Sequence, residues 1–228
     1  MVHKMHLKVI CKIVTAVSVA VIPAIINYFV KRRYKKKLKE LKLRKNKFDN
    51  SYYHCIFWTM ENTKCREHML NSIECGNNCS VTYLETIIRL LSSSKLSIAL
   101  CMYHLTLKQI TDALIEANNR GVNVRIITDA ITFKMQHSKL KFLQKKLGFD
   151  VRVPPNEDTF MHHKFCVIDA EDLDLHKMFL GSLNLTLQGC VNNFEFVIIT
   201  NNSHMITSYK DEFDLLWKTF PDIYAYNF

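Results

Sequence analysis

One stretch of the chain holds the residues best suited to chemistry. His162, Lys164 and Asp169 stand in an H-x-K-x4-D frame, and Gly181-Ser182-Leu183-Asn184 follows it. The apolar and aromatic neighbours Phe160, Phe165, Val167 and Ile168 predict a strand through the frame. Side chains two apart in a strand share a face, so His162 and Lys164 point together and His163 points away. An imidazole beside a fixed ammonium suits phosphoryl transfer. The imidazole attacks phosphorus or delivers a proton, the lysine holds non-bridging oxygens, and Asn184 donates to another as charge builds. A lone H-x-K more often marks a strand with a core-facing histidine, but Asp169 and G-S-x-N together turn the balance toward a site.

The longer strings F-M-H-H-K-F-C-V-I-D, F-L-G-S-L-N-L-T and N-N-F-E-F-V-I-I resemble the phospholipase D superfamily. Within it they resemble the Zucchini-type branch, the mitochondrial phospholipases D or cardiolipin hydrolases. The likeness covers most of the chain and is most specific over residues 161–169 and 181–199. It implies a reaction with two histidines, one attacking phosphorus to give a phosphohistidine and one protonating the leaving oxygen. A single motif copy and no internal repeat then require a homodimer, with His162 of each chain meeting at a twofold axis. Glu195, eleven residues after Asn184, matches the family acid that orients a catalytic histidine through its ring N–H. Ser182 belongs to the same G-S-x-N element, and Asp169 is expected to organise the site rather than meet substrate. No catalytic metal is implied, since Lys164 and its twin neutralise the phosphate. His54, His104, His137, His176 and His204 lack an H-x-K frame. Three departures from the family pattern bear on the groove: Leu185 for an aromatic, Phe196 for a polar residue, and a longer loop over 170–180.

The elements that must position these residues alternate. Tyr83, Leu84, Ile87, Ile88 and Leu91 fit one helical face, Ser97–Tyr103 reads as a strand, and 107–119 as a helix ending before Gly121. A strand over Val122–Thr128, a helix over 138–147 stopped by Gly148, and a short strand at 150–153 follow. The motif strand, a strand near 178–181, a strand over Glu195–Thr200 and a helix over Ser208–Trp217 complete the pattern. This predicts an α/β fold, phospholipase D-like, with a central mixed sheet flanked by helices on both faces.

Ahead of the catalytic domain, placed at 48–228, residues 13–30 form an uncharged run of 18. That is about 27 Å of helix, near the thickness of a bilayer core. Lys8 and Lys12 precede it and K-R-R-Y-K-K-K follows. The run is expected to be a transmembrane helix within an N-terminal anchor, 1–30, resembling an outer-mitochondrial-membrane signal anchor, with the domain facing the cytosol. Residues 31–47 form a basic stalk, either merely solvated or bound to anionic lipid head groups. This segment also explains the net charge of +10, because residues 48–228 carry 17 basic and 20 acidic side chains, a net of −3. A polyanion can therefore be held only by a local groove, and Lys134, Lys139 and Lys141 are the candidates for its rim.

Eight cysteines without a cleavable leader read as metal ligands or core residues of a reducing compartment, not as a disulfide framework. Cys65, His68, Cys75 and Cys79, spaced C-x2-H-x6-C-x3-C, make a Cys3His set for a structural zinc in a small segment between stalk and domain. His54 and Cys55 are competing ligand sources. Two substrates stay open. The resemblance implies an endonuclease cutting single-stranded RNA, the precursors of Piwi-interacting RNAs, and this reading is preferred. The alternative is hydrolysis of cardiolipin, or another anionic lipid, to phosphatidic acid at the mitochondrial outer membrane. Both use the same catalytic residues and differ in the groove.

Overall fold

The computed structural model describes residues 21–41 and 52–222. The chain divides into two units, Met1–Ser51 and Tyr52–Phe228. In the first, residues 21–41 form a helix, α1, exposed along its length. Among the described residues no helix is long and apolar enough to cross a membrane. Residues 13–20 of the apolar run, and 42–47 of the basic segment, lie outside the described residues.

The second unit opens with β1 (Tyr53–Trp58), a 3-10 turn (Met60–Cys65), α2 (Arg66–Asn71) and α3 (Ser80–Ser92). An alternating stretch follows: β2 (Ser97–Met102), α4 (Lys108–Asn119), β3 (Asn123–Ile127), α5 (Ala130–Lys134), α6 (Lys139–Leu147) and β4 (Asp150–Arg152). Then come β5 (Lys164–Ile168), β6 (Lys177–Gly181), α7 (Leu187–Asn192), β7 (Glu195–Thr200) and α8 (Ser203–Thr219). The strands form one sheet of order β1-β7-β6-β5-β2-β3-β4. Helical crossovers make β2, β3 and β4 parallel, while β5, β6, β7 and β1 join antiparallel.

Alternation along the strands divides the core into two layers, because successive side chains leave opposite faces. Ile98, Leu100, Cys166, Ile168, Val197 and Ile199 meet Ile87, Leu91, Ile110, Leu114 and Leu143 on one side. Ala99, Cys101, Phe165, Val167 and Met178 meet Ile206 and Phe213 of α8 on the other. β2 is buried at every position, as a central strand covered on both faces must be. The edge strand β1 buries only Ile56 and Trp58, so it lacks a sustained apolar run.

Some boundaries differ from expectation. β5 begins at Lys164, so His162 lies just outside the strand. The loop expected over 170–180 closes at His176, whose N–H donates to the Asp172 carbonyl at 2.8 Å and whose Nε2 lies 3.0 Å from the Asn201 carbonyl. α8 starts at Ser203 because the Asn202 side chain accepts the Met205 N–H at 3.0 Å. Gly148 ends α6 in the left-handed region, φ 67°, where a side chain is disfavoured.

Candidate active site

His162, Lys164, Ser182 and Glu195 lie at the same end of the neighbouring strands β5, β6 and β7, and Asp169 lies at the other end of β5. Lys164 Nζ donates to the His162 carbonyl at 2.9 Å, tying the two functional groups through the backbone between them. Tyr103, just past β2, touches both. Its ring makes an edge contact with the His162 imidazole at 4.7 Å between centroids, and Lys164 Nζ lies 5.1 Å from the ring centre. The Tyr103 N–H donates to the His163 carbonyl at 3.1 Å, which fixes this approach. His163 diverges as expected, its Nε2 standing 3.4 Å from Glu212 Oε1 on α8. His162 is exposed, open to a ligand or to a second chain. Burial lowers the Lys164 pKa, and the nearby Glu195 carboxylate raises it part of the way back.

Within one chain Glu195 meets no histidine ring among the described residues. Its carboxylate accepts the Ser182 hydroxyl on one oxygen and Asn193 Nδ2, at 2.9 Å, on the other. Ser182 Oγ in turn accepts the Phe196 N–H at 3.1 Å. Ser182 thus links the end of β6 to the start of β7 and is a positioning residue. Gly181 allows the two strands this close, since a Cβ there would stand 2.0 Å from the Phe196 carbonyl oxygen.

Asp169 is fully buried at the far end of β5. Its Oδ1 accepts the N–H groups of Lys95, Leu96 and Ser97 at 3.0, 2.7 and 3.1 Å. The motif aspartate therefore clamps the turn between α3 and β2 and positions the strands that carry the site.

Asn184 opens onto a cleft of about 1090 Å³. Asn193, His104, His137, Lys139 and Phe142 also line it. Asn184 Oδ1 and His104 Nε2 are buried without a hydrogen-bond partner. Burial, and then the neighbouring His137, lower the His104 pKa, which keeps that ring neutral near pH 7. Of the lysines expected at a groove, Lys139 lines the cleft, Lys134 pairs with Glu157, and Lys141 is exposed on α6 outside the lining. Leu185 is 1% exposed, so that departure from the family pattern falls in the core and not in the cleft.

Cys65, His68, Cys75 and Cys79 come together, their ligand atoms all within 4.8 Å of one another. Cys65 and Cys75 sulfurs are 4.0 Å apart, and Cys79 Sγ is 3.8 Å from His68 Nδ1. Zinc–sulfur bonds of about 2.3 Å in a tetrahedron set sulfurs about 3.8 Å apart, so the donor set could hold such an ion. Its neighbour Cys79, with burial and Cys65, pushes the Cys75 thiol up to about 11, the crowding that a cation relieves. His54 and Cys55, on β1, are not part of the cluster. Asn62 connects this segment to the domain by donating to Ser80 Oγ at 3.1 Å, and Ser80 donates to the Cys190 carbonyl of α7 at 2.6 Å.

A family model described as a cardiolipin synthase, PLD-like domain matches residues 87–217, which hold the whole motif. The chain belongs to the phospholipase D-like superfamily. The mitochondrial cardiolipin hydrolase of Homo sapiens is 31% identical over 153 residues, covering 67% of this chain and 58% of that protein. The mitochondrial cardiolipin hydrolase of Chlamydomonas reinhardtii is 31% identical over 170 residues, covering 72% of this chain and 73% of that one. The chain thus spans little more than half the length of the human relative. Two solved structures share the fold. Nuc of Salmonella typhimurium has a TM-score of 0.58 at 22% identity, over 76% of this chain and 98% of that one. NucT of Helicobacter pylori has a TM-score of 0.57 at 20% identity, over 76% and 99%.

Sequence reasoning about the phospholipase D-like motif passed over three groups that the fold brings to it. Tyr103 stands beside Met102, the β2 residue paired with Lys164, so strand pairing was the signal that could have found it. Asn193 lies two residues before Glu195 and reaches back to it. His104 and His137 meet at the cleft from separate loops, and no spacing along the chain announces that pair.

Proposed function

We propose that the protein is a metal-independent phosphodiesterase that cleaves single-stranded RNA. His162 and Lys164 of two chains would form its reaction centre. The supporting observation is the set of imidazoles, amides and two lysines, Lys108 and Lys139, placed in the wall of the cleft at Asn184, although most of that wall's exposed surface is apolar. An acyl chain seated there would leave those polar groups unpaired at about 1–3 kcal/mol each.

In this reading His162 of one chain attacks phosphorus, forming an N–P bond as the bond to the leaving oxygen breaks. His162 of a second copy gives that oxygen its proton. Water then attacks the phosphohistidine, yields a proton to the second imidazole, and releases the phosphate end and the free histidine. Lys164 and Asn184 hold the non-bridging oxygens. Glu195, held by Ser182 and Asn193, opposes the lowering of the Lys164 pKa by burial. Asp169 holds the scaffold. Cys65, His68, Cys75 and Cys79 would hold a structural zinc that secures the segment packed on α7.

A second reading, cardiolipin hydrolysis, is supported by the likeness to mitochondrial cardiolipin hydrolases. That likeness also supports a mitochondrial location. The apolar run with basic flanks supports attachment to the outer membrane, and the Zucchini-type resemblance supports Piwi-interacting RNA precursors as the RNA. Labelled single-stranded RNA and cardiolipin vesicles, given in parallel to wild type and His162→Ala, separate the readings. RNA cleavage that is lost in the variant supports the first. Robust lipid turnover with intact RNA moves the assignment to the second.

A further inference from the structure

The cleft beside Asn184 is wider than one phosphodiester requires. Its volume of about 1090 Å³ lies at the upper end of cavities that enclose a whole small molecule. Most of its wall comes from α4, α6 and the residues around α7. Along α6, Leu140 and Leu143 are buried in the core, while Lys139 and Phe142 line the cleft. Three residues apart on a helix, these two side chains are neighbours on one face. Phe142 is 49% exposed, so its ring face is open to the cleft. Gln136 and Gln188 add amides at the wall, and Asn193 connects the cleft to Glu195.

A flat ring face, an ammonium one helical step away and several amides meet the needs of a nucleotide. The ring stacks on a base, the ammonium neutralises a phosphate, and amides pair with base edges. We infer that this cleft is a base-binding subsite, with Phe142 the stacking platform and Lys139 the phosphate contact for a nucleotide beside the scissile bond. The inference rests on the RNA reading above and adds where a flanking nucleotide sits. Stacking tolerates any base, so the subsite favours unpaired strands without choosing a sequence. A base held in a duplex keeps its faces covered by neighbours and cannot occupy it.

The test uses the full chain. Affinity for a fluorescent single-stranded oligoribonucleotide is measured by anisotropy, and hydrolysis of bis(p-nitrophenyl) phosphate reports the reaction centre separately. Phe142→Ala should weaken RNA binding by about 5- to 100-fold. Phe142→Tyr should stay within about 2-fold of wild type, because it keeps the ring face. Hydrolysis of the small diester should fall by much less than RNA affinity in Phe142→Ala. Unaltered RNA affinity in Phe142→Ala would overturn the subsite, as would an equal loss of small-diester hydrolysis. A fall in cardiolipin turnover with RNA affinity intact would assign the cleft to lipid and overturn it too. Wild type that binds RNA through Phe142 but hydrolyses no diester would leave the subsite standing and sink the phosphodiesterase reading.

Discussion

Replacing Asp169 separates a positioning aspartate from one that acts on substrate. Asp169→Ala removes the acceptor shared by the N–H groups of Lys95, Leu96 and Ser97. Ser97 is buried, so its N–H loses its partner without regaining water, at about 1–3 kcal/mol. Lys95 and Leu96 are exposed residues and recover some hydration, so each costs about 0.5–1.5 kcal/mol. Asp169 also has φ 52°, a left-handed conformation that costs alanine about 1–2 kcal/mol. The sum, roughly 3–8 kcal/mol, is a large part of the 5–15 kcal/mol typical of a folded domain. At about 2–4 °C per kcal/mol for a chain of this size, Tm should fall by about 6–30 °C.

Asp169→Asn behaves differently. Asparagine tolerates the left-handed region and keeps one oxygen for the bonds that Oδ1 accepts from Lys95, Leu96 and Ser97, while its amide replaces Oδ2, a second acceptor of the Lys95 N–H at 3.0 Å. The changes are the loss of charge in those bonds and of the second acceptor for the Lys95 N–H, so this variant should melt between wild type and Asp169→Ala. Scanning calorimetry gives the melting order, and activity per folded molecule gives the second readout. That specific activity should stay near the wild-type value in Asp169→Asn. A stable Asp169→Asn protein that folds fully yet has lost turnover would refute the reasoning, since the carboxylate would then be needed for chemistry.

Two further outcomes follow from the site and the cysteine cluster. Glu195→Gln removes the carboxylate that raises the Lys164 pKa, so burial alone then acts on the ammonium. The alkaline limb of the pH–rate profile should move to lower pH, because the charged lysine is lost sooner as pH rises. An unmoved limb would separate Glu195 from Lys164. Elemental analysis of purified protein should find about one zinc per chain, and prolonged chelation should lower Tm while a short exposure leaves turnover intact. A well-folded preparation free of zinc would remove the ion from the structure.

Much of the fold could be read from the sequence wherever burial imposes a repeating pattern. α4 and α6 carry apolar stripes, and Gly148 sets the end of α6. β2, β3, β5 and β7 are apolar runs that pair in the centre of the sheet. The elements that escaped are those too short or too open to show a period. β1 buries two of six residues, and α5 and α7 are five and six residues long. β5 stops short of His162 for a related reason. Its apolar neighbours extend the pattern past the point where the chain pairs with β2, whose last partner is Met102 opposite Lys164.

The site divides along the same line. Residue types that occur at fixed spacing, His162, Lys164, Asp169 and Asn184, were legible because local backbone geometry relates them. What their neighbours do was not, since it depends on strands far apart in sequence. The bond from Ser182 to Glu195 exists because β6 and β7 lie side by side, and Gly181 is what lets them approach. Asp169 shows the same dependence over a longer reach, holding backbone more than seventy residues away. A motif therefore marked candidate groups, while the sheet decided which of them are buried and which are open to solvent. Asp169 and Ser182 are spent on holding the strands in place. Asn184 is left lining the cleft, where Phe142 and Lys139 form part of the wall, and His162 stands exposed beside Lys164.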